Sequence, residues 1–255
     1  DVRGGGNTRK YCALWSVCVR YSSTSMKTIT LSGAGKNALS TSLMQRTLAE
    51  VRDAKDEPIF LTGDGDAFSA GLNLKELSTL DVAGMTTFLG TLEELVKALY
   101  EHPAPVVAWV NGHAIAGGCV LALTADVRIA RRGARIGLNE VALGLRFPPL
   151  TFAMVRARLT APALERVLLE AALYEAEDAR TLGLVDVVGD ESLARATFST
   201  LASHPRDIYA ATKLVLRPRL EVSEDDRRKF REDTIPYWAS PERRAALLSL
   251  LERRR

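Results

Sequence analysis

The strongest hydrophobic pattern in the chain runs from Met85 to Tyr100, where apolar residues recur every three or four positions. This spacing predicts an amphipathic helix that packs one face into a core. Ser40 is a suitable N-cap for an earlier helix that ends near Ala54. Later helices are predicted at about 150–159, 161–171 and 176–182, and from Ser192 onward the chain is predicted to be helical, with breaks at Pro205, Pro218 and Pro241.

Short runs of β-branched and aromatic residues predict strands. The run Val106–Val110 follows Pro103 and Pro105 and is too brief for a helix of its own, so it is predicted to be a buried strand. Further strands are predicted at 58–62 and 135–138, with turns at 63–65 and 111–112.

The pair Gly117-Gly118 opens an apolar run from Cys119 to Ala125, which predicts a short buried helix. The first amide groups of a helix have no partner within it, and glycines let a ligand approach the backbone. Such a helix end is suited to hold developing negative charge, for example on a carbonyl oxygen that becomes an enolate. The alternative is tight packing of the helix on a strand, because a glycine pair alone is weak evidence.

Composition narrows the function classes. The chain has 255 residues, 47% hydrophobic and 25% charged, which is enough for one sizeable core. A formal net charge of +3 gives no case for binding nucleic acid or a membrane, and no apolar run reaches transmembrane length. The cysteines Cys12, Cys18 and Cys119 are too few and too scattered for a disulfide framework or a metal site, which favours a reducing compartment.

Two segments together resemble a known family. The segment Ile59–Leu77 contains AFSAG, and the segment His102–Glu140 contains NGHAIAGGC and IGLNE. In this order they resemble the enoyl-CoA hydratase/isomerase (crotonase) superfamily, from about Thr28 to Arg254. The resemblance implies an α/β fold, a crotonase-like spiral of ββα units with a C-terminal helical trimerisation region. It also implies an acyl-CoA thioester substrate and no separate cofactor, since coenzyme A is part of the substrate.

The resemblance implies a role for each motif residue. The backbone amides of Ala70 and Gly117 would bind the thioester oxygen. Hydratases of the family carry two catalytic glutamates; the first position is Val120 here and the second is Glu140. Hydration needs one group to activate water and another to manage the proton at the neighbouring carbon. Moving a double bond needs one carboxylate, so the resemblance points to the single-glutamate Δ3,Δ2-enoyl-CoA isomerase branch, with Glu140 as the proton shuttle.

Glu140 has a simpler interpretation as a solvated glutamate after a strand, but the family spacing favours the catalytic one. Its expected neighbours are Val120, Leu138, Val141 and Phe147, and such apolar surroundings should raise the pKa of its carboxyl towards the working range. The two prolines after Phe147 predict a narrow and stiff wall for the acyl pocket.

Further residues are expected beside the substrate. Lys36 would reach the phosphates or ribose of coenzyme A, with a solvated loop lysine as an equal alternative. His113 is expected to be structural, and a second acid or base is the alternative. The full predicted set for coenzyme A and the acyl group comprises Lys36, Ala38, Ala67, Phe68, Leu72, Asn73, Leu74, Gly118, Val120 and Phe147, and no metal ligand is predicted.

The first 25 residues are basic, rich in serine and poor in acids. They have three interpretations: an organellar transit peptide, sequence upstream of a true start at Met26, or a first strand at 14–21 that forms a hairpin with 27–31. We expect a cytoplasmic location, or the mitochondrial matrix if the segment is a transit peptide. The predicted division is an N-terminal extension (1–25), a crotonase-like core (26–190) and a C-terminal helical oligomerisation region (191–255).

The resemblance also bears on partners and alternatives. It implies a homotrimer or hexamer. Other thioester reactions of the superfamily, namely hydration, decarboxylation and hydrolysis, are the alternatives within enzymes. A non-catalytic RNA-binding member is the alternative of another class, but the basic residues of 227–231 are interleaved with acids and form no dense lysine helix. Neither nucleic acid nor a membrane is an expected partner.

Overall fold

The computed structural model describes residues 26–252. The predicted strand 14–21 lies outside these residues, so the N-terminal hairpin stays a prediction. The strands of the described part are β1 (Lys27–Leu31), β2 (Ile59–Gly63), β3 (Ala67–Ser69), β4 (Val106–Val110), β5 (His113–Ile115), β6 (Val127–Arg131), β7 (Arg135–Gly137), β8 (Tyr174–Glu175) and β9 (Val187–Gly189).

The helices include each one that the pattern predicted. The Ser40 hydroxyl accepts a hydrogen bond from the amide of Leu43 at 3.1 Å and begins the first long helix, as predicted. The helices are α1 (Ala34–Asn37), α2 (Thr41–Ala54), α3 (Leu74–Leu77), α4 (Val82–Tyr100), α5 (Gly117–Thr124), α6 (Pro149–Arg158), α7 (Ala161–Glu170), α8 (Ala176–Thr181), α9 (Glu191–Ala202), α10 (Arg206–Leu216), α11 (Glu224–Lys229), α12 (Ile235–Trp238) and α13 (Pro241–Glu252), and a π-helix (Phe230–Thr234) joins α11 to α12.

The strands form two sheets. The larger sheet has the order β1-β2-β4-β6-β9 and is parallel throughout. The smaller sheet has the order β3-β5-β7-β8, and only its last pair is antiparallel. The successive pairs β2 and β3, β4 and β5, and β6 and β7 each give one strand to each sheet before the chain enters a helix. This repeat confirms the predicted α/β spiral of ββα units.

The core lies where α2 and α4 pack beside the larger sheet and around α5. Every residue of α5 is buried, because α4, α6 and the smaller sheet all contact this helix. The opposite face of the larger sheet has its own smaller cluster, in which Phe60 and Trp109 pack against Phe198 of α9. The helix that carries the glycine pair is therefore held rigidly in the middle of the molecule.

The chain after β9 is helical, as predicted, and the prolines mark the breaks. α9 ends shortly before Pro205, α10 ends before Pro218, and α13 begins at Pro241. On α10 a row of large apolar side chains is exposed: Ile208, Leu214, Val215 and Leu216.

Candidate functional site

The segment after β3 forms the first wall of the site. Ser69 lies opposite Ala114 of β5, and the chain then turns at Gly71, whose φ is +86°. A Cβ atom at Gly71 would lie 2.6 Å from the carbonyl oxygen of Ile115, so only glycine permits this approach. The same Cβ position is 3.4 Å from the amide nitrogen of Gly117, which places the segment directly against the start of α5.

Asn37 holds this wall in place. Gly35, Lys36 and Asn37 all have positive φ, so α1 is a left-handed turn. The side-chain amide of Asn37 donates to the carbonyl of Ala67 at 2.8 Å, and the hydroxyl of Ser69 donates to the carbonyl of Asn37 at 2.7 Å. These bonds fix the turn and the AFSAG segment as one unit.

The second wall is the N-terminus of α5. Ala116, the residue before the helix, has φ +49° and ψ −119°, a region that L-residues rarely adopt and that costs about 1–3 kcal/mol. A Cβ atom at Gly118 would lie 2.5 Å from the carbonyl oxygen of Ser69, and one at Gly117 would lie 3.0 Å from Cδ2 of Leu72. The glycine pair therefore lets the helix end pack closely against the first wall, which is the alternative that the sequence left open beside the approach of a ligand.

The prediction that the amide of Ala70 is free to bind an oxyanion is wrong. This amide donates to the carbonyl of Lys36 at 2.9 Å, because the left-handed turn brings that oxygen against it. Two residues further on, the amide of Leu72 has no acceptor within residues 26–252, and neither has that of Gly117. The Leu72 side chain contacts Gly117. The amides of Leu72 and Gly117 are thus both available at the junction of the walls.

Glu140 follows β7 and is buried, with 6% of its surface exposed. Its Oε2 atom is buried and has no hydrogen-bond partner among residues 26–252. Removal from water raises the pKa of this carboxyl to about 8, and a hydrogen bond from its own amide offsets the shift in part. The charge of Glu140 also raises the pKa of the buried Cys119, after burial itself. A buried carboxyl without a charged partner is typical of functional groups, since structural ones are normally paired.

These parts meet at a cavity of about 270 Å³. The predicted site residues that line it are Ala38, Ala70, Leu72, Asn73, Leu74 and Glu140. Lys75 also lines the cavity, in the stretch that the sequence places along the acyl channel. The residues that sequence reasoning did not assign to the substrate are Ala34, Gly35, Ile115, Ala116, Asn139, Leu143, Leu145 and Leu251. Glu140 is the one carboxylate in this lining, within the part of the chain that the structure describes.

Four predicted binding residues lie behind the cavity wall. Ala67 and Phe68 are buried in β3, and Gly118 and Val120 are buried in α5. Lys36 lies outside the wall instead: its side chain is 62% exposed, and its ammonium is 3.6 Å from the carboxylate of Asp66.

Two predicted neighbours of Glu140 are placed elsewhere. Val141 is 51% exposed, because the chain turns directly after Glu140 and its side chain points away from the core. Phe147 lines a separate cavity together with Phe152, and the ring centroids of the two are 5.9 Å apart. The expectation that Phe147 forms the acyl pocket wall is therefore wrong, and Leu143 and Leu145 occupy that place.

Asn139 and Leu251 are the most informative of the residues that sequence reasoning missed. Asn139 is buried, and its Oδ1 atom has no hydrogen-bond partner within residues 26–252. Its place beside Glu140 in the IGLNE segment was the available signal. Leu251 comes from α13, and no local pattern connects that helix to the site.

His113 has a structural contact, as expected, since its Nδ1 accepts from the amide of Arg135 at 3.0 Å. Among the residues of β1 to α13, no group of three or more His, Cys, Asp or Glu is placed to hold a metal ion. Within the same part of the chain, no helix combines the length and the apolar character that a membrane crossing requires.

An apolar cavity lined by Leu72 and a desolvated carboxyl, with the unpaired amide of Gly117 next to the lining residue Ala116, has the parts of a site for proton transfer next to a carbonyl. A family model described as enoyl-CoA hydratase/isomerase matches residues 22–255, so the chain belongs to that family.

Particular relatives agree with this assignment. The chain is 31% identical over 199 residues to 2,3-dehydroadipyl-CoA hydratase of Escherichia coli, covering 74% of this chain and 77% of the relative. It is 33% identical over 166 residues to the mitochondrial enoyl-CoA delta isomerase 1 of Homo sapiens, covering 62% and 55%. Its fold matches the crystal structure of human mitochondrial delta3-delta2-enoyl-CoA isomerase with a TM-score of 0.78 at 26% identity, covering 89% and 92%.

Family membership confirms the resemblance found in the motifs and assigns the chain to enoyl-CoA thioester chemistry. Hydratases and isomerases both occur among the relatives. Their names therefore do not decide between the two reactions, and the residues of the site must.

Proposed function

We propose that this protein is an acyl-CoA isomerase that moves the double bond of a 3-enoyl-CoA to the 2-trans position. The observation that carries the proposal is the single carboxylate, Glu140, in the cavity lining described above. The position at which a hydratase has its first glutamate is Val120, an alkyl side chain that is 1% exposed inside α5. One carboxylate suffices to move a proton between two carbons of the same substrate.

In this mechanism the thioester oxygen accepts hydrogen bonds from the amides of Leu72 and Gly117. Glu140, in its ionised form, takes a proton from the carbon next to the thioester carbonyl, and the electrons of that C–H bond form a dienolate. The amides stabilise the negative charge on the oxygen, and loss of one such donor typically costs about a hundred- to a thousandfold in rate. Glu140 then returns the proton two carbons further along, which leaves the double bond conjugated with the carbonyl.

Hydration is the first alternative, because several relatives are called hydratases. It requires a second group to activate water, and Val120 supplies none. Decarboxylation and hydrolysis of a thioester are further alternatives that use one carboxylate. The structure argues against RNA binding, because the basic side chains of this region are paired with acids. Arg228 and Lys229 both pair with Asp225, and Arg231 pairs with Glu224.

The test is the turnover of a 3-enoyl-CoA, followed by the absorbance of the conjugated thioester, with hydration of a 2-enoyl-CoA measured in parallel. We expect isomerisation by the parent protein and a loss of about a hundred- to ten-thousandfold in Glu140→Gln. Glu94→Gln is the matched control, because this glutamate is exposed on α4 and pairs with Arg52. A parent protein that binds CoA thioesters but neither isomerises nor hydrates them would contradict the proposal and favour decarboxylation or hydrolysis.

We also propose that the chain assembles as a homotrimer or hexamer. The exposed apolar row of α10 would lose contact with water in such an assembly, and patches of this kind are typical of interfaces. Sedimentation analysis tests this, and we expect Leu214→Glu to shift the protein to a smaller species. A parent protein that sediments as a monomer at micromolar concentration would contradict it.

A further inference from the structure

The segment that follows Glu140 is a tight turn. The backbone carbonyl of Glu140 accepts from the amide of Leu143 at 3.0 Å and from that of Leu145 at 2.8 Å. The amide of Leu143 is also 3.2 Å from the carbonyl of Asn139. Because these bonds converge on Glu140 itself, any displacement of the turn moves the residue that carries the buried carboxyl.

The outer side of this turn is bound by the C-terminal part of the chain, about 100 residues away. The hydroxyl of Tyr237 donates to the carbonyl of Gly144 at 2.7 Å. Nη1 of Arg243 lies 3.1 Å from the same oxygen and 3.2 Å from the carbonyl of Leu143. Hydrogen bonds from both side chains therefore fix two successive carbonyls of the turn.

The same contacts are reinforced by stacking. The guanidinium of Arg146 lies 4.3 Å from the centre of the Tyr237 ring, and that of Arg243 lies 5.0 Å from it. Gly144 has φ +63°, and a Cβ atom there would overlap the guanidinium of Arg243. Glycine suits the positive φ of this turn, and any other residue would displace the guanidinium of Arg243.

We propose that Tyr237 and Arg243 are positioning residues for Glu140, which they hold in the dry wall of the cavity by clamping the turn that carries it. The consequence for catalysis rests on the proposed function. Tyr237 and Arg243, together called the clamp, do not touch the cavity, because neither side chain is among the residues that line it. It acts through the carbonyls of Leu143 and Gly144, and misplacement of a catalytic group by about 1 Å can cost on the order of a hundredfold in rate.

Several titratable or charged side chains lie on the elements around Glu140. They are Lys75 of α3, Cys119 of α5, Arg146 of the same segment, and Tyr237 and Arg243 of the clamp. Burial is the first cause of the raised pKa of Glu140. A loosened turn admits water and lowers this pKa, whereas simple removal of the positive charge of Arg243 would raise it. The direction of change therefore separates positioning from a charge effect.

The experiment uses the full chain and three variants: Tyr237→Phe, Arg243→Gln and, as matched control, Tyr100→Phe. Tyr100 also donates its hydroxyl to a backbone carbonyl, that of Pro218 at 3.2 Å, but away from Glu140. The titration of the Glu140 carboxyl is followed by ¹³C NMR on protein labelled in its glutamates, and its signal is assigned by its absence in Glu140→Gln. This readout does not depend on any enzymatic activity.

We expect the pKa of Glu140 to fall by about one pH unit in Tyr237→Phe and in Arg243→Gln, and to stay unchanged in Tyr100→Phe. Turnover of 3-enoyl-CoA should fall on the order of tenfold to a hundredfold in the first two variants. An unchanged titration in both clamp variants, or a raised pKa in Arg243→Gln, would overturn the proposal even if stability falls. A lowered pKa in a protein that does not isomerise would support the clamp and overturn the proposed function alone.

Discussion

Buried polar groups are paired at one end of α5 and unpaired at the other. At the N-terminal end the amide of Gly117 has no acceptor within residues 26–252, and the nearby Glu140 carboxyl has no charged partner there. At the C-terminal end the carbonyls of Leu123 and Ala125 accept from Arg158 at 2.9 and 2.8 Å. The backbone carbonyls at the anchored C-terminal end are thus paired, whereas the amide of Gly117 at the N-terminal end is unpaired within the described residues.

The anchored end is completed by Asp126, just after α5. Its carboxylate accepts from Lys213 at 2.8 Å, from Arg217 at 2.6 Å and from the amide of Val106 at 2.7 Å. Lys213 and Arg217 belong to α10 or follow it directly, so this cluster ties the C-terminal helices to the core. Burial lowers the pKa of Lys213 to about 8, although Asp126 opposes the shift.

The difference shows which buried groups stabilise the fold and which are kept reactive. A buried charge with several partners is costly to break, whereas a buried carboxyl without one destabilises the fold whenever it ionises. Proteins tolerate the second kind chiefly at functional sites. The absence of a charged partner for Glu140 within residues 26–252 is therefore the strongest structural reason to locate the reactive site at the N-terminal end of α5.

The largest loss of stability is expected at the anchored end. Asp126→Asn leaves Lys213 and Arg217 buried without a countercharge, and we expect a loss of about 3–5 kcal/mol in the free energy of unfolding. Chemical denaturation at pH 7 measures this. Asp225→Asn, which breaks exposed pairs with Arg228 and Lys229, should change the same quantity by about 0–1 kcal/mol. Equal effects of the two substitutions would contradict the comparison.

Near the N-terminal end of α5, removal of the charged group should raise the free energy of unfolding instead of lowering it. The pKa of Glu140 is raised from 4.5 to about 8, so its contribution to stability is full below pH 4.5 and is lost as pH rises to 8. We expect Glu140→Gln to be more stable than the parent by about 5 kcal/mol at pH 9, with little difference at pH 4.5. Denaturation curves at the two pH values decide this, and a variant less stable at pH 9 would show that Glu140 is paired.

Two glycine substitutions test the close approach of α5 to Ser69 at the unpaired end of the helix. In Gly118→Ala the new methyl group meets the carbonyl of Ser69, so we expect a loss of about 1–3 kcal/mol in stability and a fall in activity. Gly90 of α4 has open space around its Cβ position, and Gly90→Ala should stabilise the protein by about 0.5–1 kcal/mol. Thermal unfolding of both variants tests the pair, which should move in opposite directions.

The smallest effect is expected where α13 reaches the cavity. Leu251→Ala enlarges the space beside Leu143 and Leu145, so we expect the ratio of kcat/KM for a longer to a shorter acyl chain to rise on the order of tenfold. Leu248, which is exposed on the same helix, supplies the control Leu248→Ala. An unchanged ratio in Leu251→Ala would mean that the acyl chain does not reach α13.

Much of the fold followed from local patterns. The Ser40 cap, the apolar spacing of α4 and the glycine pair at α5 are determined by residues close in sequence, so they could be predicted. The AFSAG and IGLNE segments likewise indicated the cavity and Glu140.

The errors arose where geometry depends on distant contacts or on side-chain direction. The Ala70 amide is engaged because a left-handed turn at Lys36 presents its carbonyl, which no pattern predicted. Val141 and Phe147 are near Glu140 in sequence, but the turn directs them elsewhere. The bond from Arg243 to Gly144 spans 99 positions, and no periodic signal reports it.

Glu140 acts in this mechanism as a desolvated base without a charged partner among residues 26–252, and the pH dependence of kcat/KM for isomerisation of a 3-enoyl-CoA tests this role most directly. The free enzyme must have this carboxyl ionised to take a proton, and burial places its pKa at about 8. We therefore predict that kcat/KM rises through one ionisation near pH 8 and levels off above it. A profile that is flat from pH 5 to 9, or a rise that Glu140→Gln retains, would contradict the account.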